Sequence, residues 1–160
     1  MATDVLPSHL QHFETRERVR GDPRVRFLVP IGRVLFAAIF ILSGFTHFAQ
    51  QTIAYAASAG VPAPNLLVPL SGIIAIVGGL SVALGYWTRV GALLLVLFLV
   101  PVTLRMHAFW MVDDPMMRGI QMANFLKNVS MLGATFLLLY FGAGPISIDE
   151  RAEHPARQSA

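Results

Sequence analysis

The sequence predicts an all-α integral membrane protein: an antiparallel four-helix bundle with a short interfacial helix after the first span. Three observations carry this. Of 160 residues, 55% are hydrophobic and only 13% are charged, too apolar a balance for an ordinary soluble domain. The apolar residues fall in four long runs, each near the roughly 18 to 20 residues needed to cross a hydrocarbon core. Short polar breakers separate the runs, so consecutive spans thread up and down.

Residues 1–29 form a basic arm in which Arg16, Arg18, Arg20, Arg24 and Arg26 alternate with Glu14, Glu17 and Asp22. Arginine beside an apolar run reads as a topology signal rather than a phosphate-binding patch, so the net charge of +3 does not point to nucleic acid. The membrane domain is expected over 30–145. Its first run, Ile31 to Phe48, lets Arg33 snorkel from the start and ends in the small and polar residues Ser43, Gly44, Thr46 and His47. Ala49 to Asn65 carries no charge and holds Gly60, Pro62 and Pro64, which predicts an interfacial helix stopping at Gly60.

The second span, about Leu66 to Leu84, spaces Ser71, Ala75, Gly79 and Ala83 four residues apart. That spacing predicts a small-residue stripe for helix packing. The turn GYWTR, Gly85 to Arg89, is short enough to force an antiparallel hairpin into the third span. That span runs from near Val90 and is expected to kink at Pro101, which withdraws a backbone donor. A polar loop through Asp113, Asp114 and Pro115 leads to a fourth span predicted to begin near Phe125 and end at Gly142 to Pro145. Residues 146–160 then form a polar tail.

Four spans return the chain to its starting side. Arginine counts place both termini and the GYWTR turn in the cytoplasm of a bacterial inner membrane, with Arg105, Arg118 and Lys127 opposing that assignment. Threading brings His47, Arg105, His107, Trp110, Lys127 and Asn128 to the outer rim. These residues offer the donors and the near-neutral proton exchange that a quinone head group requires, with Trp110 and Phe109 available to stack on its ring. The same residue types are also ordinary interfacial anchors, and that reading stands beside the first.

No haem, iron–sulfur or metal site is expected from the chain's own residues. There is no Cys at all, and His47 and His107 have no further ligand at metal spacing. Adjacent Asp113 and Asp114 read as a turn, and the seven Met as packing.

GRVLFAAIFILSGFTHF at 32–48, GVPAP at 60–64, SGIIAIVGGLSVALGYWTR at 71–89, HAFW at 107–110 and FLKN at 125–128 together resemble the DoxX family of small bacterial membrane proteins. The resemblance runs from Gly32 to about Asp149 and leaves the basic arm outside. It implies a four-helix inner-membrane bundle associated with respiratory or redox complexes, as in the membrane subunit of thiosulfate:quinone oxidoreductase. Relatives commonly carry a Glu where this chain has Ala75, which removes one candidate proton-handling group.

The expected function is therefore a membrane subunit supporting quinone-linked electron transfer, with lipid and the subunits of a redox complex as partners. A non-catalytic structural or assembly subunit is the alternative.

Overall fold

A computed structural model describes residues 25–153, and most of the predicted basic arm and the end of the tail lie outside them. The elements are α1 (Leu28–Thr46), α2 (Gln50–Ser58), α3 (Pro64–Leu84), α4 (Thr88–Met106), a 3₁₀ turn (Phe109–Met111), α5 (Pro115–Phe141) and α6 (Ile148–Glu153). Helices α1, α3, α4 and α5 are each long and apolar enough to cross a membrane. They pack in sequence order, α1 on α3, α3 on α4 and α4 on α5, with α2 laid against α3.

Glycine sets the helix spacing. A Cβ on Gly72 would stand 2.7 Å from the Gly44 carbonyl oxygen and 2.8 Å from the His47 Cβ, so α1 and α3 touch backbone to backbone. Gly78 does the same toward α4, where a Cβ would meet the Gly91 oxygen at 3.0 Å. Lipid gives helices no hydrophobic reason to associate, so such close approach supplies the dispersion contact that holds spans together. Around these crossings lies a core of Ala37, Phe40, Ala75, Val82, Leu95, Phe98 and Leu99.

The packing face of α3 is rotated from the predicted stripe. Ala75 and Gly79 are buried, whereas Ser71 and Ala83 are half-buried and the Ser71 hydroxyl turns back to the Val68 carbonyl. Gly72, Gly78 and Val82 complete the buried face instead. The reason is that α3 packs on α1 and on α4 at once, which a single line of i, i+4 positions cannot serve.

The fourth span starts at Pro115 rather than near Phe125. Asp114 has extended backbone and its side chain accepts the Met117 N–H at 2.8 Å, while Pro115 occupies the first turn where no N–H is needed. The DDP sequence is thus a helix start, not only a turn. Asn128 lies 13 residues beyond Pro115, about 20 Å along the axis, so the FLKN segment is mid-helix. Helix α4 runs continuously through Pro101.

Arg33 does not snorkel. It is 4% exposed, and its guanidinium reaches across the bundle end to donate to the carbonyls of Ala143 and Ile146, each at 2.7 Å. Gly85, at φ +66°, leaves the space that Arg33 and Ser147 fill. A helix terminus that ends inside protein must find partners for its carbonyls, and Arg33 supplies them for the chain leaving α5.

The start of the predicted tail is docked at the same end. Asp149 accepts the Trp87 N–H at 2.8 Å, the Thr88 N–H at 3.0 Å and the Thr88 hydroxyl at 2.9 Å, capping α4 from 61 residues away. Burial pushes the Asp149 carboxyl upward. The bonds from Thr88 and Trp87 and the charge of Arg33 outweigh it and hold the group below its ordinary range. A lowered folded-state value means that the cap's contribution is complete above the ordinary carboxylate range and drains away as pH falls through the lowered value. Asp149→Asn is therefore expected to cost about 1 to 2 kcal/mol at neutral pH. The gap to wild type should close in acid. Thermal unfolding across a pH series checks this, and a gap independent of pH would contradict it.

Candidate functional site

At the opposite end of the bundle, α1 and α5 stand apart and enclose a cavity of about 250 Å³. Its floor is Ile39, Phe40, Phe98, Leu99 and Met131, and its upper wall is Ser43, His47, Thr52, Tyr55, His107, Lys127 and Asn128. A chamber with an apolar floor and a few convergent polar groups is the usual form of a small-ligand site.

Local sequence explains each side chain's position. The His47 Nδ1 lies 2.8 Å from the Ser43 carbonyl one turn back on α1, and the ring packs edge-on against Phe98 with centroids 5.5 Å apart. Tyr55 comes from α2, which is held down by Ile53, Ala56 and Val68. His107 ends α4, and its Nδ1 stands 2.8 Å from the Gln121 Oε1. Gln121 Nε2 in turn donates to the Tyr55 hydroxyl at 2.9 Å, so a chain of polar groups joins the end of α4, α5 and α2.

Lys127 donates to Asn124 Oδ1 at 3.0 Å, and Thr135 to the Met131 carbonyl at 2.8 Å. Asn128 sits between them on α5 and is 6% exposed, yet among the described residues its amide makes no hydrogen bond. Its place in the cavity wall makes it available to an occupant.

Of the six residues expected at the rim, His47, His107, Lys127 and Asn128 share this cavity. Arg105 and Trp110 do not. Arg105 donates to the Gly60 carbonyl at 2.5 Å, tying the end of α4 to the turn before α3. Trp110 is 52% exposed and packs with Phe109 and Phe125, at centroid distances of 5.2 and 5.7 Å. That pairing staples the 3₁₀ turn to α5, so neither Phe109 nor Trp110 is placed to stack on a ligand in the cavity.

Sequence reasoning missed Ser43, Thr52, Tyr55 and Gln121. The signal for Gln121 was its spacing from Asn128, two helical turns along one face of α5. Tyr55 needed the fold of α2 to be found.

Arg105 instead borders a second, larger groove of about 620 Å³ between α3 and α4, walled mainly by apolar residues including Leu67, Val68, Ile74, Leu97 and Pro101. His47, Thr52, Phe98, Val102 and Met106 line both spaces, so the groove and the chamber are separated by one layer of side chains. No group of three or more His, Cys, Asp or Glu that would hold a metal ion is assembled among the described residues.

Four apolar spans, with a partly open cavity at one end beside an apolar groove, define a polytopic membrane protein. The DoxX family model matches residues 28–108, from the start of α1 through the end of α4. Inner membrane protein YphA of Escherichia coli K12 is 35% identical over 127 residues, covering 78% of this chain and 89% of that protein. Inner membrane protein YqjF of the same organism is 30% identical over 124 residues, covering 76% and 88%. The ER-derived vesicles protein ERV29 of Saccharomyces cerevisiae is 28% identical over 79 residues, covering 49% of this chain and 25% of that protein. No solved structure matches. The chain belongs to the DoxX family.

Proposed function

We propose that this protein is the membrane-embedded subunit of a quinone-linked redox complex, with the chamber between α1 and α5 taking the quinone head group. The observation that carries this is Asn128: an amide in the cavity wall that makes no hydrogen bond among the described residues, beside other side chains able to donate. A head group with two oxygens in a flat apolar ring fits donors set above Phe40, Phe98 and Leu99. The adjoining groove, apolar and open between α3 and α4, suits an isoprenoid tail leaving toward lipid. The relatives' inner-membrane names and the arginine balance support a bacterial inner membrane with this chamber at the outer side.

When bound, a quinone supplies two-electron, two-proton chemistry. The chain's own residues hold and orient it. Lys127 and Asn128 would donate to its oxygens, and Tyr55, whose hydroxyl accepts from Gln121, would add a hydroxyl joined through Gln121 to His107. The electrons would pass to or from a partner subunit; with no Cys, the chain holds no iron–sulfur cluster through its own thiolates.

A purely structural subunit is the second reading, favoured by α5. That helix presents Met116, Ile120, Leu126, Phe136 and Leu137 outward, and a Cβ on Gly119 or Gly133 would meet nothing within 4 Å. Cells carrying His107→Ala or Lys127→Ala separate the two. The redox reading expects quinone-dependent turnover to fall at least about tenfold while the complex stays assembled, the effect of losing one hydrogen bond to the ligand. Full turnover in both variants, or loss of assembly in place of turnover, would favour the structural subunit.

A further inference from the structure

Resting on the quinone reading, we infer that the chamber is selective for the reduced, hydroxyl-bearing form of its ligand, and that His47 is the residue that selects it. The group 2.8 Å from His47 Nδ1 is the Ser43 carbonyl oxygen, which can only accept. Nδ1 therefore carries a hydrogen, and in the neutral ring Nε2 is left with a lone pair.

The neutral ring is thus fixed at one nitrogen and offers an acceptor at the other. The edge-on contact with Phe98 at 5.5 Å and the Gly72 backbone behind the His47 Cβ keep it from turning over.

A quinone carbonyl presents only lone pairs to that acceptor, and two lone pairs facing each other repel. A quinol hydroxyl donates its hydrogen to Nε2, and the quinol's other oxygen still accepts from Asn128, Lys127 or Tyr55. The reduced form satisfies His47 and still accepts at its other oxygen. The oxidised form leaves His47 opposed, a mismatch that corresponds to about tenfold in affinity.

The test is equilibrium binding to the full chain in lipid nanodiscs under anaerobic conditions, with decylubiquinol, decylubiquinone and the dimethyl ether of decylubiquinol as probes. The expected result is quinol binding about tenfold tighter than quinone, with the ether falling to the quinone's level because it has no hydrogen to donate. In His47→Phe the preference should collapse to near unity, chiefly through weaker quinol binding. The ether comparison uses the unaltered protein, so it decides the matter even if that variant does not fold. Equal binding of quinol and quinone by the wild type, or an ether that binds like quinol, would overturn the selectivity while leaving the chamber as a quinone site. Binding of none of the three probes would overturn the quinone reading itself.

Discussion

Gly72→Ala is expected to destabilise the bundle by about 1 to 3 kcal/mol despite adding a single methyl group. The added carbon would stand 2.7 Å from the Gly44 carbonyl oxygen and 2.8 Å from the His47 Cβ, atoms fixed to the backbone of α1 that cannot rotate away. The two helices would have to separate, and in lipid no hydrophobic gain compensates for lost contact. His47 would move with α1, so ligand binding should weaken together with stability.

Gly133→Ala is the matched control, because a Cβ there meets nothing within 4 Å. It should be neutral or stabilising by up to about 1 kcal/mol, since alanine is the better helix former. Thermal unfolding of both variants in the same detergent checks the pair. Equal stability would mean that the α1–α3 crossing does not depend on backbone contact.

Arg33→Met is expected to cost at least about 3 kcal/mol, the usual consequence of removing one partner from a buried, charged hydrogen-bonded group. Methionine keeps much of the apolar stem but leaves the Ala143 and Ile146 carbonyls unanswered. The segment that they belong to also positions Asp149, so α4 should lose its cap in the same event. Arg33→Lys is expected to rescue only in part, because an ammonium lacks the planar fork that reaches two carbonyls together. Protease accessibility of the chain after Phe141 gives the readout. An Arg33→Met protein whose C-terminal segment stays protected would refute this role.

These two sites show what the sequence could and could not disclose. The spans were legible because each is a long run without charge, and α2 because Gly60 ends it at φ +74°. Threading alone points His47, His107, Lys127 and Asn128 to one end of the bundle, but it starts the fourth span ten residues late, and Lys127 and Asn128 lie mid-helix. Arg33 was not legible, since its acceptors lie 110 and 113 residues away and are backbone atoms with no sequence signature. Gly72 is not legible because the regular i, i+4 stripe points to Ser71 and Ala83, while the buried face of α3 serves two neighbours. The start of α5 was written in Asp114 and Pro115, as a cap followed by a first-turn proline, but the pair also spells a turn. Which way Arg105 and Trp110 point depends on the Gly60 carbonyl and on Phe125, which the sequence does not pair with them.

The most direct test of the account is the quinone content of the protein purified from native membrane in mild detergent, compared between wild type and Asn128→Phe. Phenylalanine at that position fills the chamber and removes the amide that has no other partner among the described residues. The account expects about one quinone per wild-type chain and almost none in the variant, with bulk phospholipid unchanged between them. Wild-type protein that carries no quinone, or a variant that retains it, would contradict the assignment of this chamber.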